Sequence, residues 1–226
     1  MARSMPADLS RIDCWIFDLD NTLYPASADL FALIDQKMGQ FIQNLLGLDP
    51  IAARKVQKDY FVRHGTTLSG LMAEHAIDPD GFLDFVHDIP MDRLSPAPSL
   101  ANAIQALPGR KLVFTNGDAD YASRVLDALA LSDCFETIFD IREANYQPKP
   151  ELAPYQMLCN SRDIDPARAL FVEDMARNLK PAKTLGMATV WINNGSEQAN
   201  GMASADYIDF ETHDLSHWLT HFTETF

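Results

Sequence analysis

The sequence predicts an α/β fold, a parallel-sheet core interrupted near its start by a helical insertion. Three observations predict it. Short apolar runs alternate with helical patterns from Arg110 onward, the rhythm of strand-helix units. Ile12 to Phe17 and Ala169 to Val172 read as strands covered on both faces, as in parallel sheets. Several of the apolar runs also end in polar residues: Asp18 and Asp20, Thr115 and Asn116, Glu173 and Asp174. In open parallel sheets ligands bind at the carboxyl ends of the strands, so these endings should converge.

In chain order, Ile12 to Phe17 reads as the first buried strand. After Pro25 the period changes. Leu30, Ile34, Met38, Phe41, Ile42 and Leu45 recur at three- and four-residue steps, an amphipathic helix that Gly47 can end. Asp49-Pro50 and Asp78-Pro79 each place a capping carboxylate before a proline at the first helical position, so two more helices should start there. Gly65 is the exit of the first of them. Pro90, Pro96 and Pro98 break the pattern. The expected division is therefore a core of residues 1–25 and 96–226 and a helical cap of residues 26–95.

Lys111 to Phe114 is the next strand, followed by a helix bearing Val125, Leu126 and Leu129. Thr137 to Phe139 makes a short strand, and Pro150 can open a helix through Leu158. Ala169 to Val172 is buried and is followed by a helix through Lys183, and Ala188 to Ile192 closes the main series. A weaker strand at Tyr207-Ile208 and a last helix from Asp214 to Phe222 complete the chain.

With 226 residues and a 47% hydrophobic fraction, the chain can bury a full core and a small second unit. No apolar run reaches membrane-spanning length, and Met1 to Pro6 lacks the apolar centre of a secretion signal, so a cytoplasmic protein without a membrane partner is expected. The three cysteines, Cys14, Cys134 and Cys159, are odd in number and set among apolar residues, which argues for reduced core positions. A net charge of −14 disfavours nucleic-acid polymers, whose binding draws on neutralised phosphates. Small anionic substrates stay accessible, because a metal, a lysine and helix N-termini can outweigh the global charge within a Debye length.

Side chains alternate along a strand, so Asp18 and Asp20 leave on one side while Leu19 points back to the apolar layer. Two carboxylates held that close raise at least one pKa unless a cation neutralises them. A hard divalent cation such as Mg²⁺ takes oxygen ligands and keeps phosphate oxygens in its shell. The same residues also suit a strand stop with an Asx-type turn, and on these residues alone both readings stay open. Thr115 to Gly117 equally suits a turn, and Glu173 and Asp174 could complement the dipole of the helix after them. Lys149, between two prolines, could be an ordinary exposed lysine on a rigid loop, but a helix opened by Pro150 would set it at a positive helix end where an anion is welcome. His213, His217 and His221 share a helix face without a carboxylate or cysteine partner, the pattern of a solvated surface.

Asp18-Leu19-Asp20-Asn21-Thr22, Phe114-Thr115-Asn116-Gly117, Lys149 within Gln147 to Pro150, and Glu173-Asp174 with Asn178 stand in an order that resembles the haloacid dehalogenase-like (HAD) hydrolase superfamily. The resemblance covers essentially the whole chain and implies a Rossmann-like sheet with a C1-type helical cap. It further implies that Asp18 is a nucleophile that becomes an aspartyl phosphate, that Asp20 first protonates the leaving oxygen and then deprotonates water, and that Lys149 offsets charge. Thr115 and the Asn116 backbone would hold phosphoryl oxygens. Mg²⁺ would be held by Asp18, the Asp20 carbonyl and Asp174, with Glu173 beside it.

An acid at position 20 points to phosphatases, because the haloacid dehalogenases of the superfamily need no proton donor there. Asp20 to Pro25, with Tyr60-Phe61 and His64 to Leu71, resembles the pyrimidine 5'-nucleotidase branch. That implies UMP or CMP as substrate, with Arg63, His64, Thr66 and Thr67 facing the nucleoside. As a plain connection between helices, the same segment would carry no such role. Alternatives are a phosphatase for another small metabolite, such as phosphoglycolate or a sugar phosphate, and a non-catalytic protein that binds phosphate ligands on the same fold.

Overall fold

Strands β1 (Cys14–Phe17), β2 (Arg110–Phe114), β3 (Thr137–Phe139), β4 (Ala169–Glu173), β5 (Ala188–Ile192) and β6 (Phe210–Thr212) form one six-stranded sheet in a computed structural model that describes residues 9–195 and 205–225. Met1 to Pro6, and the leader reading made on them, lie outside the described residues. All pairings are parallel, in the order β3-β2-β1-β4-β5-β6. Every residue of β1, β4 and β5 is buried. This is the burial that whole-run apolar patterning requires. The order reverses at β1, where Phe17 stands opposite Val113 on one side and Val172 on the other. A crevice at the carboxyl ends therefore opens beside β1.

Nine α-helices stand among the described residues. Helices α1 (Leu30–Leu46), α2 (Pro50–His64), α3 (Thr67–His75) and α4 (Pro79–His87) lie between β1 and β2 in sequence and pack on one another. Gly47 ends α1 in the left-handed conformation expected of a C-terminal glycine. The carboxylates of Asp49 and Asp78 accept amides of the first turns of α2 and α4, so both caps are explicit hydrogen bonds. Around the sheet run α5 (Pro98–Ala106), α6 (Ala119–Leu129), α7 (Leu152–Arg162), α8 (Ala176–Leu185) and α9 (Leu215–Thr225).

Alternation along β1 divides the core. Trp15 and Phe17 join the layer with α5, α6, α9 and the helical segment, whereas Cys14 and Ile16 join the layer with α7 and α8. Trp15 meets Phe222 of α9 edge to face at 4.8 Å. The three cysteines are free and buried, and burial pushes the Cys14 thiol up to about 12 and Cys159 to about 11. They are therefore poor nucleophiles. Among the described residues no helix is long and apolar enough to cross a membrane.

Apart from small shifts of bounds, four elements differ from the sequence expectation, the first being α5, where the sequence suggests no helix. Helix α3 occupies residues where the sequence suggested a connection, and the Thr66 side chain accepts the Ser69 amide to start it. Helix α7 begins at Leu152 rather than Pro150, because Glu151 N–H bonds the Pro148 carbonyl and holds a turn there. Lys149 accordingly does not stand at a helix end. The last strand is Phe210–Thr212 instead of Tyr207-Ile208. Thr189 explains the shift: its hydroxyl donates to the Tyr207 carbonyl at 2.8 Å and its amide to Asp209 at 3.0 Å, so residues 205–209 turn before pairing begins.

Candidate active site

Asp18 follows β1 directly, and its amide donates to the Val172 carbonyl of β4 at 2.9 Å, so the ladder itself places this carboxylate at the sheet edge. Thr22 donates its hydroxyl to Asp18 Oδ2 at 3.1 Å. Lys149 Nζ donates to Asp18 Oδ1 at 2.6 Å, to Glu173 Oε2 at 2.8 Å and to the Phe114 carbonyl at 2.9 Å. The Phe114 and Phe171 rings lie 5.0 and 5.3 Å from the ammonium. Lysine is seldom buried without partners, and at 1% exposure this one has three hydrogen bonds and two aromatic faces.

The Asn116 side chain fixes the lysine from outside. Its Oδ1 accepts the Lys149 amide at 2.8 Å and its Nδ2 donates to the Lys149 carbonyl at 3.3 Å. Asn116 therefore spends its side chain on the loop that carries Lys149. Thr115 is buried, with its hydroxyl accepting the Gly117 amide at 2.9 Å.

Asp18, Glu173 and Asp174 each offer a carboxylate oxygen within 4.8 Å of the others. Burial first, and then Glu173, push the Asp18 carboxyl up to about 7 against the pull of Lys149. Burial, Glu173 and Asp18 raise Asp174 in the same way. Burial alone would depress Lys149, but Asp18 and Glu173 outweigh it and keep the ammonium charged. When all three acids are ionised, one lysine leaves two negative charges in excess. An all-oxygen donor set with that surplus fits a hard divalent cation. Asn178 lines the same cavity, and its Oδ1 is buried without a hydrogen-bond partner among the described residues.

Asp20 is held differently. Its Oδ1 accepts the Tyr24 hydroxyl at 2.5 Å and the Tyr121 hydroxyl at 2.6 Å. Burial and the adjacent Asp20 charge push both phenols well above their ordinary range, so both stay donors. Above these groups lies a cavity of about 230 Å³ whose floor includes Asp18, Asp20, Lys149 and Asp174. Phe31, Met38, Phe61, Leu68 and Phe82 of the helical segment, with Thr66 and Thr67, line its other side. Arg177 of α8 crosses the gap, donating to the Gly65 carbonyl at 3.3 Å with its guanidinium 4.6 Å from the Phe61 ring.

Asp18, Asp20, Asn116, Lys149, Glu173 and Asp174 thus meet at one end of the sheet, with Thr66 and Thr67 across the cavity. Arg63 and His64 do not line it: Arg63 bonds Asp59 at 2.8 Å and Glu74 at 3.0 Å, and His64 lies 3.3 Å from Glu74. Sequence reasoning gave no role to Tyr24, Tyr121, His87 or Arg177. Only Tyr24 carried a signal, four residues after Asp20. Tyr121 is separated from its carboxylate by 101 positions, a pairing no local pattern encodes.

The fold and the relatives agree. Phosphate metabolism protein 8 of Saccharomyces cerevisiae is 27% identical over 192 residues, covering 78% of this chain and 60% of that protein, so the chain spans about three fifths of its relative's length. The magnesium-bound HAD hydrolase YfnB of Bacillus subtilis superposes with a TM-score of 0.61 at 18% identity, covering 94% of this chain and 99% of that one. A HAD phosphatase of Thermococcus onnurineus gives 0.62 at 18% identity over 93% and 98%. L-2-haloacid dehalogenase of Xanthobacter autotrophicus gives 0.55, also at 18% identity, over 93% and 98%. At such identities these structures speak for the fold. The family model for haloacid dehalogenase-like hydrolases matches residues 12–186, well over half of the sequence, and the chain belongs to that family.

Proposed function

We propose that this hydrolase is a Mg²⁺-dependent phosphomonoesterase that works through an aspartyl phosphate on Asp18, with residues 26–95 as a cap over the site. The observation that carries the reading is the pair Asp18 and Asp20. One is buried against Lys149 and the other is partly exposed at the cavity with a single oxygen tied to two tyrosines. Two carboxylates in such different surroundings suit two roles.

In the first step an Asp18 oxygen attacks phosphorus and the bond to the leaving oxygen breaks. Asp20 gives that oxygen its proton, and the alcohol leaves. Asp20, now ionised, takes a proton from water as the water oxygen attacks the same phosphorus. The Asp18–phosphorus bond breaks, inorganic phosphate departs and Asp18 is restored. Lys149 offsets charge on Asp18 throughout, and Thr115 with the backbone of Asn116 holds phosphoryl oxygens, the Thr115 amide itself being bonded to the Phe139 carbonyl. Asp18, Asp174 and the Asp20 carbonyl, with Glu173 beside them, would hold Mg²⁺, which lowers the charge on the phosphoryl oxygens.

For the substrate we favour a nucleoside 5'-monophosphate, UMP or CMP. Support comes from the cavity wall: aromatic faces from Phe31, Phe61 and Phe82 suit a flat base, and Thr66 and Thr67 line the same cavity. Arg63 and His64 lie outside that wall and carry no part of it. Phosphate release should be measured on nucleotides, sugar phosphates, phosphoglycolate and p-nitrophenyl phosphate, with Mg²⁺ and with chelator, for the native protein and Asp18→Asn. Metal-dependent release, absent in Asp18→Asn and strongest on UMP or CMP, is the expected result. A preference for another metabolite would sink the nucleotide assignment and keep the phosphatase. Binding without turnover of any ester would sink both.

A further inference from the structure

Asp118, the N-cap of α6, ties together two parts of the molecule. Its Oδ1 accepts the Tyr121 amide at 2.8 Å, while its Oδ2 pairs with Nδ1 of His87, the last residue of α4. Burial raises Asp118, but hydrogen bonds and charge from His87 lower it further, so the carboxylate stays ionised. The imidazole also stacks on the Tyr121 ring, with centroids 4.3 Å apart and planes 12° apart. Arg124 of α6 completes the joint by donating to the carbonyls of His87 at 3.1 Å and Ile89 at 2.6 Å. The end of α4 is thus fastened to α6 on one of the two rings whose hydroxyls hold Asp20.

We propose that His87 and Tyr121 are positioning residues for Asp20, so that seating α4 on α6 sets the carboxylate that serves the leaving group. This rests on Asp20 being the proton donor of the proposed reaction. Both tyrosine hydroxyls converge on Oδ1, which leaves Oδ2 as the oxygen that carries and delivers the proton. A carboxyl free to rotate about its last bond presents the wrong oxygen for part of the time. Two donors on one side remove that freedom, and His87 fixes the plane of one of them. His87 itself lines the cavity, but in this role it acts through Tyr121 and needs no contact with substrate.

The consequence is selective. A leaving group that departs readily as an anion needs little help from Asp20, whereas a basic one needs the proton. The test compares kcat/KM for phenyl phosphate and p-nitrophenyl phosphate, esters of similar shape whose phenols differ in acidity. These are assayed on native protein, Tyr121→Phe, His87→Ala, the double variant and Asp20→Asn, with melting curves to show that each folds. Tyr121→Phe removes one of the two hydrogen bonds that hold Oδ1 and should cost about tenfold on phenyl phosphate, with a clearly smaller loss on p-nitrophenyl phosphate. His87→Ala should fall the same way, and the double variant should be little worse than the poorer single one, because both act on one carboxylate. Equal losses on the two esters would overturn the proposal and make His87 and Tyr121 packing residues. So would a rise in KM alone for His87→Ala, which would mark it as a substrate contact. The Asp20→Asn arm separates the two levels. If it keeps the native ratio between esters, the proton-donor reading itself fails. If it loses phenyl phosphate turnover while Tyr121→Phe behaves as native, only the positioning role fails.

Discussion

Lys149 Nζ lies 2.6 Å from Asp18 and 2.8 Å from Glu173, so one buried ammonium is shared between two carboxylates from different strands. Neither acid has another cationic partner at salt-bridge distance among the described residues. Replacing Lys149 with Met removes the charge and keeps most of the volume. Breaking a buried pair from one side leaves uncompensated charge and costs about 3–5 kcal/mol. Lys149→Met should therefore melt well below the native protein at pH 8 and release no measurable phosphate. A melting point within a degree or two of native would show that the acids do not depend on this lysine.

The same acids predict an unusual pH response. In the folded chain Asp18 sits near 7, raised from an ordinary carboxylate value by burial and Glu173, and Asp174 is raised too. A raised carboxyl favours folding while it is protonated. Its contribution is complete below about pH 4 and is lost as pH climbs through the folded value near 7. Lys149, raised above its ordinary range, titrates far above this window and does not offset the trend. In chelator, the melting temperature of the native protein relative to Asp18→Asn should thus fall between pH 5 and pH 8. Mg²⁺ competes with those protons, so it should raise the melting temperature more at pH 8 than at pH 5. A Mg²⁺ effect that is larger at pH 5, or absent at both, would argue against this cluster as the cation site.

How far the sequence could be read follows from where each constraint lies along it. Strand β5 matches its expected bounds because a fully buried strand is written as a nearly continuous apolar run, and the short, half-buried β3 matches as well. Helices α2 and α4 start where Asp49 and Asp78 cap them, and α1 and α2 stop at Gly47 and Gly65, since caps act within three or four residues. The Asp18 and Glu173-Asp174 endings were visible for the same reason. What could not be read depends on contacts between distant positions. Asn116 holding Lys149, Tyr121 reaching Asp20 and Thr189 turning residues 205–209 each join segments whose pairing is decided by tertiary packing. Arg63 misled because a charged residue beside a motif looks available, whereas Asp59 and Glu74 already claim it.

Gly70 tests whether the α2–α3 corner sets the cavity wall. A Cβ at this position would stand 2.4 Å from Tyr60 Cβ and 2.5 Å from its Cγ, far inside contact distance. Tyr60 has little room to yield, because its hydroxyl is tied to His75 Nε2 at 2.6 Å and its ring meets His64 edge to face. Gly70→Ala must therefore push α3 away from α2. Overpacking of this kind costs about 1–3 kcal/mol, so the variant should unfold at lower denaturant concentration with an unchanged slope. Thr66 and Thr67 start the same helix and would move with it, while Asp18, Asp20 and Lys149 stand on loops at the carboxyl end of the sheet and would not. The expected kinetic signature is a raised KM for the preferred ester with kcat largely kept, checked against Thr67→Ala, which should raise KM without the loss of stability. If Gly70→Ala lowers kcat and leaves KM alone, the corner governs closure over the reacting groups rather than recognition of the substrate.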